Sequence, residues 1–399
     1  MLNTGWDVGM LVVIFMAIAI GYWLGRRASR KLDIEEPSHL EPHYIKGLNY
    51  LLNEQPDAAI DTFIDALEVN SETLETHLAL GNLLRKRGEV GRAIKIHQNL
   101  LARPGLPDYH AQQVQLELAR DYIKSGLLDR AETLLQEMVP VAAADIRTAC
   151  LRHLIEIYRD EKEWLRAIEA VNQLAGRRFG RLPEEWRVAQ GHFYCEVAEQ
   201  AVQRGDYLAA RRHLKAALNV DRGAIRANLL LGELELQQGS VRDAIRALKQ
   251  VPQQNPDYIP QALPLLVQAY TQQGRQDSLK RYLLELQQGY QGTSVALALS
   301  DLLAVEEGGE SATGYMAQRL NSRPSLPGLG HLLKYKAQQE SGTASESLQL
   351  TLSLINKLNE AKPGYRCTKC GFSGHQLHWL CPSCKSWGTV KTIKGVEGE

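Results

Sequence analysis

The chain has 399 residues, enough for two or three domains and for a large buried core without disulfide staples. Its 46 Lys and Arg balance 46 Asp and Glu, so no global field draws in nucleic acid, and an electrostatic partner must be read from local clusters. Only 7% of residues are aromatic, while Ala, Leu, Glu, Gln and Arg recur throughout. That usage argues against a sheet protein and predicts an all-α fold with almost no strand before the C-terminal tail.

Residues 8–24 read VGMLVVIFMAIAIGYWL, with no charge inside. About 17 residues at 1.5 Å each give roughly 25 Å, enough for a membrane-spanning helix. Trp6, Tyr22 and Trp23 stand near the two ends, where interfacial aromatics belong. Asp7 precedes the run and Arg26, Arg27, Arg30 and Lys31 follow it, the reverse of a cleaved signal peptide. Cations flanking a span stay in the cytoplasm, so residues 1–25 are expected to be a single-pass transmembrane anchor, with the bulk of the chain facing the cytoplasm. Gly21 and Gly25 form a small-xxx-small face against which a second membrane helix could pack. Residues 26–42 read as a juxtamembrane linker.

From residue 43 the chain is self-similar. Gly47, Tyr50, Ala59, Phe63 and Ala66 are matched 34 residues later by Gly81, Leu84, Ala93, His97 and Leu100, and this is the tetratricopeptide period. The frame continues through Ala119, Tyr122, Ala131, Leu135 and Met138, then through Ile155, Tyr158, Ala167, Val171 and Leu174. It resumes at Ala198, Ala201, Ala210, Leu214 and Ala217, and again at Gly232, Ala244 and Leu248, with Pro256 at the motif's proline. A weaker unit follows at Val267, Tyr270, Leu279, Leu283 and Leu286. In such a unit a small residue lets helix A lie close to helix B, and each hairpin buries its apolar face only by stacking on the next. The expected result is a superhelix with an inner groove. Gly88, Gly126, Gly205, Gly239 and Gly274 are placed to end helix A of successive hairpins. Longer insertions fall at 103–108 and 176–183. The repeats are expected over 43–290, with degenerate helical pairs over 291–360.

No phosphate-binding loop, metalloprotease helix, nucleophile elbow or paired carboxylates appear, so the reading is of a protein that is not an enzyme. His77, His97, His110, His153, His192 and His213 are scattered at helical positions and are assigned to packing or surface. Cys150 and Cys195 stand alone in helical stretches and read as small core residues.

The tail, 361–399, carries the chemistry. Cys367-x2-Cys370 and Cys381-x2-Cys384 are separated by ten residues. Each turn aims two thiolates at one point, and two such turns make a closed tetrahedral site for one metal ion. The set does not choose between iron and zinc. The C-x-x-C-G-F and C-P-x-C halves look like rubredoxin, and the short span between them looks like a zinc ribbon. With all four positions filled, the ion is expected to be structural. Gly371 permits the first turn and Pro382 stiffens the second, while Phe372, Trp379 and Trp387 are expected to shield the sulfurs. His375 and His378 are not needed as ligands. So small a module builds no core of its own, and it is expected to dock on the last repeats.

Three segments, HLALGNLLRKRGEVGRAIKIHQNLL (77–101), HFYCE (192–196) and YRCTKCGF…HWLCPSCKSW (365–387), closely resemble the lipopolysaccharide assembly protein B family, and the resemblance runs over essentially the whole chain. It carries over Cys367, Cys370, Cys381 and Cys384 as metal ligands. It further implies an inner-membrane adaptor of Gram-negative bacteria that works with the membrane AAA protease FtsH in degrading the deacetylase LpxC. It also implies docking of lipopolysaccharide assembly and transport proteins, and control by an inner-membrane regulator with a periplasmic domain. Residue patterns alone leave open a rubredoxin-like electron carrier and, through Lys369, Lys385, Lys391 and Lys394, a nucleic-acid-binding zinc ribbon. Nucleic acid is not expected as a partner, given the anchor and the balanced charge.

Overall fold

The computed structural model describes residues 15–23, 46, 49, 50, 53, 62, 74–176, 182–396, 398 and 399. Residues 15–23 are helical, with Phe15, Ile18 and Trp23 exposed. Among the described residues no helix is long and apolar enough to cross a membrane. The span expected over 8–24 lies partly outside them. The linker 26–42 and Gly47, Ala59, Phe63 and Ala66 of the first repeat lie wholly outside.

From Leu74 the described chain is a run of helices in two compact units, one ending at Arg147 and one starting at Thr148. The first holds α1 (Leu74–Arg87), α2 (Val90–Leu101), α3 (Asp108–Lys124) and α4 (Leu128–Met138); α5 (Ala144–Asp160) then leads into the second. There follow α6 (Trp164–Ala175), α7 (Glu184–Gln203), α8 (Tyr207–Val220), α9 (Ile225–Gln237), α10 (Val241–Leu248), the short α11 (Gln250–Gln254) and a 3-10 turn, Pro256–Tyr258. The helical part closes with α12 (Ile259–Gln272), α13 (Gln276–Gly289), α14 (Thr293–Glu306), α15 (Gly309–Ser322), α16 (Leu326–Gln339) and α17 (Thr343–Ala361).

One turn is used again and again between paired helices. The amide of Glu89 donates to the Leu84 carbonyl at 2.9 Å, and Leu127 to Tyr122, Glu163 to Tyr158, Asp206 to Ala201, Ser240 to Glu235 and Arg275 to Tyr270 repeat that bond. The bond needs a left-handed residue after the helix. Glycine supplies it at Gly88, Gly126, Gly205, Gly239 and Gly274; Lys162, at φ 60°, is the exception.

The repeat frame accounts for the packing. Ala93, Ala131, Ala167, Ala210 and Ala244 of the second helices are completely buried. A side chain on Gly81 would strike the His97 ring, and one on Gly232 would strike Leu248, so these glycines are what lets each pair close. His97 is itself buried, its Nδ1 lying 2.5 Å from the Asp121 carboxylate, which also accepts from Arg85 at 2.8 Å. Cys150 and Cys195 are buried and outside any disulfide, and burial pushes the thiol of Cys195 up to about 12.

Strand occurs, among the described residues, only in the tail: β1 (Tyr365–Cys367), β2 (Ser373–Gly374) and β3 (Val390–Thr392). They form an antiparallel sheet in the order β2-β1-β3, with Tyr365 opposite both Gly374 and Thr392.

Candidate metal centre

The two C-x-x-C segments fold into the same turn. Gly371 N–H donates to the Cys367 carbonyl at 3.0 Å, and Lys385 N–H to that of Cys381 at 2.9 Å. Each turn is entered by a pair to the chain beyond it, Cys367 N–H to Phe372 at 2.7 Å and Cys381 N–H to Ser386 at 3.0 Å. The residue after each second cysteine is left-handed, with φ 79° at Gly371 and 53° at Lys385.

These turns face one another. Cys367 Sγ lies 3.8 Å from Cys384 Sγ, Cys370 Sγ lies 3.6 Å from Cys381 Sγ, and all four sulfurs fall within 4.8 Å of one another. A tetrahedron with metal–sulfur bonds of about 2.3 Å has edges of roughly 3.8 Å, close to the two shorter separations, so the donor set fits one ion. Among the described residues this is the one group of His, Cys, Asp or Glu so placed, and neither His375 nor His378 joins it.

The surroundings prepare sulfur for a cation. Burial pushes the Cys367 thiol up, but its hydrogen bonds with Thr389 Oγ1, 3.3 Å away, and with the amides of Cys370 and Lys369 outweigh it and bring it to about 6. A hydrogen bond from the Ser386 hydroxyl holds Cys384 below the ordinary thiol value. Burial dominates at Cys381 and raises it to about 11.

The apolar shell differs from the expected one. Phe372 does pack on the cluster, together with Val390, Tyr365 and Leu377. Trp379 and Trp387 turn away from it and join the tail to the helices. Trp387 stacks on His192 of α7, ring centroids 4.6 Å apart, and meets Trp164 and Phe193 edge-on at 6.3 and 5.9 Å. Trp379 stacks on Tyr258 at 5.3 Å, with the Arg226 guanidinium 6.0 Å from its ring. Arg226 is buried and paired with Glu196 at 2.8 Å and Glu199 at 2.9 Å, which leaves no bare charge in the joint.

Polar contacts lock the same seat. The Asp257 carboxylate accepts from Lys391 at 2.7 Å and Lys394 at 2.5 Å, and these bonds hold it below the usual carboxylate range. The Tyr258 hydroxyl donates to the carbonyls of Gly388 and Val390 at 3.3 and 3.4 Å. Farther along, Leu326 N–H donates to the Val396 carbonyl at 2.8 Å, and the Glu399 side chain accepts from Tyr290 Oη at 2.8 Å and Ser294 Oγ at 2.6 Å. The seat therefore includes the last repeats, through the Pro256–Tyr258 turn, Tyr290, Ser294 and Leu326, and reaches back beyond them to α6 and α7. The reason is chemical: two indoles need flat aromatic partners, and Trp164, His192, Phe193 and Tyr258 provide them. Sequence reading gave no role in the site to His192, Arg226, Asp257 or Tyr258, because each lies more than a hundred residues from its partner. The signal available was HFYCE, a helical segment too rich in polar and aromatic groups for an ordinary core face.

Comparison with known proteins bears on this architecture. The profile described as rubredoxin metal binding domain matches residues 365–392, and tetratricopeptide repeat profiles match 46–109 and 201–269. Lipopolysaccharide assembly protein B of Escherichia coli (strain K12) is 34% identical over 394 residues, covering 98% of this chain and 100% of that protein. The chain belongs to the lipopolysaccharide assembly protein B family. The member from Haemophilus influenzae (strain ATCC 51907 / DSM 11121 / KW20 / Rd) is 32% identical over 397 residues, covering 97% of this chain and 98% of its own. Within the family frame, this chain has a tetratricopeptide fold that ends in a rubredoxin-like zinc ribbon with four cysteines able to hold one metal ion.

Proposed function

We propose that the chain is a membrane-anchored adaptor in lipopolysaccharide assembly, with no chemical step of its own. The observation that carries this is its end-to-end similarity to a protein named for that assembly. In this reading residues 1–25 anchor the chain in the inner membrane, 26–42 link it, 43–290 and 291–360 form the partner-binding array, and 361–399 form the metal module. The apolar side chains exposed over residues 15–23 support an anchor, and the cations after Leu24 support a cytoplasmic array.

The metal ligands are Cys367, Cys370, Cys381 and Cys384, holding zinc or iron. Bound there, the ion cross-links the two turns and, with four thiolates around it, has no position left for a substrate. The chain's own residues do the rest. The ordered turns present Trp387 and Trp379 to the array, and Asp257 and Tyr258 fix their register. The surface offered to partners is thereby given one shape.

The adaptor brings LpxC to the membrane protease FtsH, docks other lipopolysaccharide assembly and transport proteins, and answers to an inner-membrane regulator with a periplasmic domain. Confinement to the plane of the protease raises the effective concentration of weakly binding partners. The test is the half-life of LpxC in cells carrying the full chain, the chain lacking residues 1–25, or Cys367→Ser. Rapid turnover is expected with the first and slow turnover with the other two. An unchanged half-life on depletion of the whole protein would remove the adaptor reading.

A further inference from the structure

Away from the metal module, α10, α12 and α13 enclose an open cavity of about 390 Å³. Four cations line it, Arg242, Lys249, Arg275 and Arg281, against the single carboxylate of Glu285. In a chain whose formal charge is zero, that is a strong local excess. The cations are not held there by internal pairing. Arg242, Lys249 and Arg275 form no ion pair among the described residues, and Arg281 donates only to the Asp277 carbonyl at 3.4 Å and Ser278 Oγ at 3.5 Å. The neighbouring carboxylate of Asp243 is taken by Arg246 at 2.9 Å.

The cavity also has an aromatic wall, the half-buried Tyr282 with Tyr270 buried behind it. Lys249 Nζ sits 4.4 Å from the centroid of Tyr282 and 5.8 Å from that of Tyr270, so the ammonium is positioned by the rings and not by an acid. Ile245 extends this apolar wall. A bare oxyanion would use the cations and leave the rings idle. A polypeptide carrying carboxylates beside an apolar side chain uses both.

We infer that this pocket between α10, α12 and α13 is a docking site for an acidic peptide segment of a protein partner, read by Arg242, Lys249, Arg275 and Arg281 and seated beside Tyr282 and Ile245. This rests on the adaptor reading above and gives it a recognition chemistry. Carboxylates meet the guanidinium and ammonium groups, and an apolar residue between them lies against Tyr282 and Ile245. The partner's affinity is therefore sensitive to salt.

The probe is a fluorescein-labelled dodecapeptide, three copies of Glu-Ser-Leu-Glu, with a Gln-for-Glu twin as control, titrated against the purified full chain in detergent. The acidic peptide is expected to bind, with affinity falling as NaCl rises, and the Gln twin to bind at least about tenfold more weakly. Arg242→Glu with Arg275→Glu, at exposed sites, should lose about tenfold for the acidic peptide at unchanged helix content. Lys249→Met, which keeps the stem against the rings, should lose less. Equal binding by the twin or by the double variant overturns the proposal. So does displacement by inorganic phosphate beyond that by NaCl of equal ionic strength, which would mark an oxyanion pocket. A single-stranded oligothymidylate that binds more tightly and through the same arginines would make it a nucleic-acid surface. The readouts separate the two ideas: peptide binding through Arg242 and Arg275 with LpxC turnover indifferent to the protein would keep the pocket and discard the lipopolysaccharide role.

Discussion

The seat of the metal module should be weakened by mild acid through one residue, His192. Its imidazole is buried between Trp387 and Trp379, and burial, followed by the nearby charge of Arg226, lowers its pKa from 6.5 to about 3. The docked state thus keeps the ring neutral, whereas an undocked or unfolded state releases it to bind a proton below its ordinary value. Stability from this group is complete above pH 6.5, falls as pH drops through that value, and goes on falling to about pH 3. With these two values, acidification from pH 7 to pH 5 removes about 2 kcal/mol. Other groups titrate over the same window, so the measurement is a difference. Urea unfolding of the wild type and of His192→Phe, which keeps a ring against Trp387, is followed by tryptophan fluorescence from pH 7 to 5, with bound metal checked at each step. The wild type should lose about 2 kcal/mol more than the variant. Parallel pH slopes, or an imidazole resonance that titrates near its free value in the folded protein, would refute the argument.

Other substitutions probe the array and the joint separately. Lys162→Gly relieves the left-handed backbone at φ 60° in an otherwise glycine-turned hairpin and should raise urea-melt stability by about 1 kcal/mol. Gly232→Ala drives a methyl into Leu248 and should cost about 1–3 kcal/mol by the same melt, with part recovered in the double variant Gly232→Ala/Leu248→Ala. Asp257→Asn removes the negative charge and one of the two acceptor oxygens shared by Lys391 and Lys394, both partly exposed, so about 1 kcal/mol of docking is lost; limited proteolysis should cut the tail faster at unchanged helix content. Cys367→Ser opens the site, and elemental analysis should find no bound metal, with the helices retained.

The array was readable because its rule is local and repeated. A small residue such as Gly81 or Gly232 meets a fixed partner sixteen residues on, His97 or Leu248, and the chain repeats the arrangement until the pattern shows. The four cysteines were readable because each pair needs only its own turn. The joint was not. Trp379 and Trp387 stand beside the cysteines in sequence and were expected to serve them, yet a flat indole is buried most fully on another flat ring, and those rings are on helices far away in the chain. His192 looked like any histidine on a helix, since nothing within its own turn shows a neutral buried ring. Pro256 was legible as the repeat's proline, while the use of the next two residues as a clasp depends on a tail more than 130 positions later. The orphaned cations around Tyr270 and Tyr282 were hidden by the neutral total, because charges cancel in a sum and not in space.

A stack of repeats ordinarily behaves as a chain of springs, each hairpin feeling only its two neighbours, so that stretches can open or breathe on their own. Here one small module grips α6 and α7 with Trp387, the Pro256–Tyr258 turn with Trp379, and the start of α14 with Glu399. It closes a ring around the intervening hairpins. Such a closure takes away their independence: slow amide exchange from Trp164 to Ser294 should rise and fall as one block, and loss of the module should return those hairpins to opening one by one.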